Sequence, residues 1–320
     1  MDTNVPGKAR VANGLPKVAI LLCTYNGQDY LAEQLDSFHS QSHTNWEVWA
    51  SDDGSKDSTR AILDTYQQKW PLGRLSIDSG PASGAVANFL TLTCNASIDA
   101  DYYAYSDQDD VWEADKLERA VQWLESIPHN IPALYCSRTR LVDVANNEIG
   151  FSPLFAKPPG FANAIVQNIA SGNTMVFNNA LRALLREAGK DISVAVHDWW
   201  AYIVVTGCGG EVFYDRYPSL RYRQHEGNLI GMNSTWHARL ERIRMLWAGV
   251  FKGRNDSNIA SLRTLQHRLT PKSSETLDCF ARARNMSLVP RLTHLKRSGI
   301  YRQTLCDNLA LIIAAFFGKI

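Results

Sequence analysis

Tyr102–Trp112 reads YYAYSDQDDVW, an aromatic and apolar run that stops at three carboxylates, Asp107, Asp109 and Asp110. Like charges this close repel, and each disfavours ionisation of its neighbours. A bound metal, an arginine cluster or plain solvent has to offset that repulsion. In an open α/β sheet, ligands collect at the carboxyl ends of the strands. An acidic cluster at the end of a strand-like run therefore poses the question of what the rest of the chain brings beside it.

Upstream, two patterns alternate. Val18 to Leu22 is a continuous apolar run, as expected of a strand buried on both faces. Leu31, Leu35 and Phe38 then recur at helical spacing, and Trp46 to Ala50 reads as a second strand. Asp57 or Ser58 can cap a helix carrying Ile62 and Tyr66. Leu75 to Ile77 reads as strand, Val86 to Leu92 as helix and Asp101 to Ser106 as strand. Leu117, Val121, Leu124 and Ile127 mark an amphipathic helix before Leu134 to Cys136. This order predicts a mostly parallel sheet with helices on both faces. Phe151 to Phe161, with three prolines and a glycine, reads as irregular loop. Strand-like runs follow at 174–177 and 212–214, with a helix at 180–188.

Four polar clusters fall at strand ends: Cys23 to Gly27, Ser51 to Ser55, the small-residue loop Gly80 to Asn88, and Ser106 to Asp110. Any one of them is readable as a turn with a helix cap. Four in series converge on one crevice. Their chemistry suits a sugar nucleotide: carboxylates accept from a pyrimidine N–H and from ribose hydroxyls, and hard oxygen ligands hold the Mg²⁺ or Mn²⁺ that a diphosphate needs. The first strand is not followed by GxGxxG, and GxxxxGK[ST] is absent, which argues against dinucleotide and P-loop folds.

VAILLCTYNGQDYLAEQLDSFHSQSHTNWEVWASDDGSKDST followed by SDQDDVWEADKL resembles the family 2 glycosyltransferases, which have the GT-A fold. The resemblance is strongest over residues 17–125. With HDWW at 197–200 and YRQHxxNxxG at 222–231 it points to the bacterial rhamnosyltransferase-like branch. It implies that Thr24 and Tyr25 pack on and bond the base, that Asp53 takes the base N–H, and that Asp107 contacts the ribose. Asn26, Gly84, Asn88 and Gln108 fall in the same nucleotide-sugar segments. Asp109 is the implied metal ligand, while the role of Asp110 stays open.

The resemblance makes Asp198 the general base, a carboxylate that takes the acceptor proton during inverting transfer; an aspartate helix cap is the plainer reading. A late His in this fold completes the metal site or contacts the diphosphate, and the plainer reading of His225 is a solvated strand-edge histidine. Arg223, with Arg221, is a diphosphate candidate. Gly172 and Asn173 are acceptor-side residues or a tight turn. Of Trp199 and Trp200, one is expected to face an acceptor sugar and the other the core.

The implied protein is an inverting, metal-dependent transferase. Its expected donor is dTDP-L-rhamnose, with a UDP-hexose as runner-up, and its acceptor a lipid-linked or growing surface polysaccharide. A nucleotidyltransferase would carry a glycine- and basic-rich loop after the first strand, which CTYNGQDY lacks. A non-catalytic sugar-nucleotide sensor is separable only by turnover.

Residues 15–232 are expected to form the GT-A domain, divided at 137/138 into nucleotide and acceptor halves, and 233–320 a basic helical extension. Net charge over the 320 residues is only +1, yet 236–302 carries fourteen Lys/Arg against four Asp/Glu. That region reads either as a solvated helical cover or as a surface for anionic lipid. The apolar run 309–317 would span roughly 14 Å as a helix, well short of a bilayer core of roughly 30 Å. The first sixteen residues show no apolar signal-peptide core, and six scattered cysteines without a CxxC pair suggest reduced thiols. The expected location is the cytoplasm, with peripheral attachment to the inner face of the membrane.

Overall fold

A computed structural model describes residues 14–225 and 250–320. Asn228 and Gly231 of the late motif, the expected 232/233 boundary and the basic stretch 236–249 lie outside the described residues. β1 (Val18–Thr24) is buried along its whole length, since its apolar side chains meet helices on both faces. α1 (Leu31–His39), β2 (Trp46–Asp52), α2 (Thr59–Lys69), β3 (Leu75–Ser79), α3 (Ala85–Cys94) and β4 (Tyr102–Ser106) follow. β2 and β4 flank β1, and β3 lies outside β2, all parallel. Their carboxyl ends therefore share one edge, and the four polar clusters gather there.

β5 (Val111–Trp112), α4 (Lys116–Leu124), β6 (Ala133–Val142), β7 (Glu148–Phe151), α5 (Phe161–Ala164), β8 (Val176–Asn178), α6 (Asn179–Ala188), α7 (His197–Gly207) and β9 (Glu211–Arg223) complete the sheet half. The strand order is β3-β2-β1-β4-β8-β6-β9-β5, with β7 paired to β6 off this path. β8 runs antiparallel to both β4 and β6, and β5 antiparallel to β9. The expectation of a mostly parallel sheet is thus corrected to a mixed one. β8 returns between two strands that run against it, and beyond it β6 and β9 pair in parallel. β5 is two residues long and β7 four, too short for periodicity to announce them.

Two cores flank the sheet. One packs α1, α2 and α4 against Ile20, Val48 and Tyr102. The other takes α3 and α5–α7. α8 (Val250–Thr264), α9 (Pro271–Arg284), α10 (Leu288–Ser298) and α11 (Leu305–Phe316) pack into this second core through Leu262, Leu277, Phe280, Leu295 and Leu311. α11 buries Leu311, Ala314 and Ala315, while Leu305, Leu309, Ile312, Ile313 and Phe316 stand exposed on its other side. Among the described residues no helix is long and apolar enough to cross a membrane. All six cysteines are free.

Candidate active site

The two aspartates after β2 have different duties. Asp52 accepts from the Thr24 hydroxyl at 2.9 Å and from the Ser55 amide at 3.0 Å, so it closes the turn. Asp53 is buried, its Oδ2 accepts from the Gly84 amide at 2.7 Å, and its Oδ1 has no hydrogen-bond partner. A buried acceptor left open beside a crevice is the feature a base N–H would satisfy. Gly84 reaches it with φ +89°, a conformation that favours glycine. Gly80, at the start of the same small-residue loop, is also required: a Cβ there would lie 2.8 Å from Asp53 Oδ1.

Several residues assigned to the donor hold the loops instead. Gln108 accepts from the Tyr25 amide at 2.7 Å and donates to the Tyr25 carbonyl at 2.9 Å, so both ends of its side chain are occupied. Gly27 leaves room for that amide, which a side chain would overlap. Asn88 donates to the Ser51 carbonyl at 2.8 Å and accepts from the Ser51 hydroxyl at 2.5 Å. Asn26 accepts from the Lys56 amide at 2.8 Å in a left-handed conformation that Asn tolerates. The Thr24 side chain is buried and points to Asp52, whereas the Tyr25 ring is 57% exposed and free to cover a base.

In the acidic loop, Asp109 Oδ2 lies 2.8 Å from His225 Nε2, which joins two elements that the sequence separates by more than a hundred residues. Asp107 is partly buried; burial first, then the charges of Asp109 and Asp198, push its carboxyl up to about 8. Among the described residues no three His, Cys, Asp or Glu side chains enclose a metal by themselves. The Asp109–His225 pair, with Asp107 beside it, is a carboxylate and imidazole donor set that fits Mg²⁺ or Mn²⁺ with a ligand's oxygens completing the shell.

Arg223 does not face this crevice. It is 1% exposed, donates to the carbonyls of Asp109 at 3.2 Å and Val144 at 2.9 Å, pairs with Glu33, and lies over the Tyr30 ring. Its assignment to a diphosphate is corrected to holding the loop that carries Asp109. Arg221 pairs with Glu113. Asp110 is buried, with Oδ2 accepting from Asn173 Nδ2 at 2.6 Å and Oδ1 unpartnered. Next to it Lys116 is fully buried with its ammonium 3.7 Å from the Trp112 ring centre; burial lowers it to about 7, against the pull of Asp110.

Asp198 opens α7, where the residue before it, His197, is the first helical position. Its Oδ2 accepts from the Gly172 amide at 2.9 Å and its Oδ1 from the Trp199 amide at 2.5 Å. Burial raises it to about 6, while those amides and Asn168 act to lower it. His197 stacks on Phe89 at 3.8 Å with neither ring nitrogen bonded, and burial lowers it to about 3. Both indoles are core: Trp199 is 6% exposed with Nε1 donating to Ala164, and Trp200 is fully buried. The expectation that one faces an acceptor is corrected, because α7 is buried on every side.

Comparisons with known proteins agree with the fold. The dTDP-rhamnosyl transferase RfbG of Shigella flexneri is 31% identical over 235 residues, covering 70% of this chain and 78% of that protein. Among solved structures, S. aureus TarS 1-349 in complex with UDP-GlcNAc superposes with a TM-score of 0.52 at 16% identity, covering 89% of this chain and 93% of that one. The Pyrobaculum calidifontis mannosyltransferase PcManGT, in complex with GDP-Man and Mn²⁺, has a TM-score of 0.52 at 17% identity, covering 96% and 86%. The profile of glycosyl transferase family 2 matches residues 19–191. The chain belongs to glycosyl transferase family 2: it is a glycosyltransferase with the GT-A fold, similar to the rhamnosyltransferases of that family.

Proposed function

We propose that the protein is an inverting, metal-dependent glycosyltransferase that moves L-rhamnose from dTDP-L-rhamnose to a lipid-linked or growing surface polysaccharide. The observation that carries the mechanism is Asp198: a carboxylate held by two backbone amides at the rim of the acidic crevice, close enough for its charge to act on Asp107. With a pKa near 6 it is ionised at neutral pH and ready to take a hydroxyl proton. Asp53 receives the thymine or uracil N–H on its open oxygen, Tyr25 covers the ring, and Asp107 takes the ribose. Asp109 and His225 would hold the cation. That cation, when bound, neutralises charge on the departing diphosphate.

The rhamnosyl donor is supported by the relative named a dTDP-rhamnosyl transferase. A UDP-hexose is the second reading, favoured by the fold neighbour in complex with UDP-GlcNAc. Donor depletion with dTDP-rhamnose or UDP-hexoses, acceptor glycolipid and Mn²⁺ or Mg²⁺ tests both. Turnover of dTDP-rhamnose that stops with chelator is expected; turnover of a UDP-hexose alone would move the donor, and no turnover of either would overturn the reading.

The same proposal includes peripheral attachment to an anionic membrane face. The exposed apolar side of α11 supports it, as does the charge of residues 250–320, twelve Lys/Arg against four Asp/Glu. Apolar burial and a basic surface, each insufficient alone, act together in such attachment.

A further inference from the structure

The turn that carries Gly172 and Asn173 touches both halves of the crevice. It is a single 3₁₀ turn, Gly172–Thr174, closed by Thr174 N–H donating to the Ser171 carbonyl at 3.0 Å and Met175 N–H to the Gly172 carbonyl at 2.9 Å. At one end the Gly172 amide donates to Asp198 at 2.9 Å. One residue later, Asn173 Nδ2 donates to Asp110 at 2.6 Å. Ser171 Oγ donates to Asn173 Oδ1 at 2.8 Å, which fixes the amide with its nitrogen toward Asp110. There is little slack: a Cβ on Gly172 would lie 2.9 Å from His197 Nε2 and 3.2 Å from Asp198 Cβ.

Asp110 is adjacent in sequence to Asp109 but does not reach the crevice, being 1% exposed. Its carboxylate points instead to the turn. We infer that Asp110 and Asn173 are positioning residues, whose buried hydrogen bond sets the separation between the acidic loop and Asp198. The inference rests on the reading of Asp198 as the base. The bond is short, and burial protects it from competing water. Only the Asn173 side chain, held by Ser171, and the backbone of Gly172 lie between the two bonds, so a shift at Asp110 reaches the Asp198 carboxylate over a short path. Transfer requires the acceptor hydroxyl, the base and the anomeric carbon in register, and small misplacements there are costly.

The test measures turnover at saturating donor and acceptor, together with Mn²⁺-dependent binding of the nucleoside diphosphate by calorimetry. Asn173→Ala and Asp110→Ala should each lose turnover by roughly 10–100-fold while nucleotide affinity changes less than about twofold. Asp110→Asn, which keeps an oxygen for Asn173 to bond, should restore most of the turnover that Asp110→Ala loses. Asn173→Leu, close in volume, should resemble Asn173→Ala and so exclude a cavity as the cause; where an Asn173 variant does not fold, the Asp110 pair carries the comparison. Unchanged turnover in Asn173→Ala, equal losses in turnover and nucleotide affinity, or Asp110→Asn as poor as Asp110→Ala would each overturn the positioning role. Asp198→Asn is measured beside them: wild-type turnover in that variant would remove the base assignment, whereas its loss with a fully active Asn173→Ala would remove only this inference.

Discussion

The Gly84 amide donates to one carboxylate oxygen of Asp53 at 2.7 Å and leaves the other oxygen buried and without a partner. The bond fixes the direction in which the open oxygen points. Asp53→Ala is expected to weaken binding of dTDP and UDP by roughly 10–100-fold, the scale of a lost hydrogen bond to a charged acceptor. Calorimetry of nucleotide binding checks it; unchanged affinity would mean that the open oxygen serves no base.

Asp109→Ala and His225→Ala should both abolish the part of nucleotide binding that depends on Mn²⁺, because they remove the two donors that meet at 2.8 Å. A double variant should lose little more than either single one, since residues in one site are not additive. Metal-independent binding through Asp53 should survive in all three. Thermal-shift titration with and without Mn²⁺ reads the difference.

The pH profile follows from Asp198. Its carboxyl is raised to about 6, so the ionised base is fully present above that pH and is lost as pH falls through it. kcat/KM should fall roughly tenfold per unit below about pH 6, apart from any change near pH 8 where Asp107 titrates. Asp198→Asn should lower turnover by roughly 10²–10⁴-fold, flatten this limb, and leave nucleotide affinity intact. A limb that survives in the variant would assign it to another group, with Asp107 the acid that faces Asp198.

Arg223→Ala should act on stability. It strips donors from the Asp109 and Val144 carbonyls and removes a cation from the Tyr30 face. A loss of about 2–4 kcal/mol in denaturant unfolding is expected, with metal-dependent binding weakened because the Asp109 loop loses its tether. Full stability in the variant would restore the diphosphate role.

Membrane attachment is best tested without truncation, since Leu311, Ala314 and Ala315 of α11 lie in the core. Ile312→Asp with Phe316→Asp changes only the exposed side. Wild-type protein should co-sediment with anionic liposomes at low salt, less so at high salt because exposed charges are screened, and the double variant should stay in solution. Equal sedimentation of both would discharge α11 from the interface.

The parallel half of the fold was legible because its strands are buried on both faces and its polar clusters sit at their ends. The mixed half was not: β5 and β7 are too short to show a period, and β8 is preceded by a turn that the apolar run 174–177 conceals. Residue type and family resemblance singled out Asp53, Asp109, His225 and Asp198 as candidates, and the fold sets Asp109 against His225. The same resemblance drew Gln108, Asn88 and Arg223 toward the donor, because sequence does not distinguish a polar side chain that meets a ligand from one that meets the backbone of a neighbouring loop. Asn168 and Lys116 gave no signal at all, since their importance comes from what stands opposite them.

The two-way bond between Gln108 and the backbone of Tyr25 makes the loop after β1 an observer of the acidic loop. The Tyr25 amide proton is shielded by a side chain from that loop, at an otherwise exposed position. Its rate of exchange with deuterated solvent therefore reports how often the acidic loop lifts away. One resonance in a nitrogen–proton spectrum would follow that opening in real time, with every carboxylate of the site left untouched.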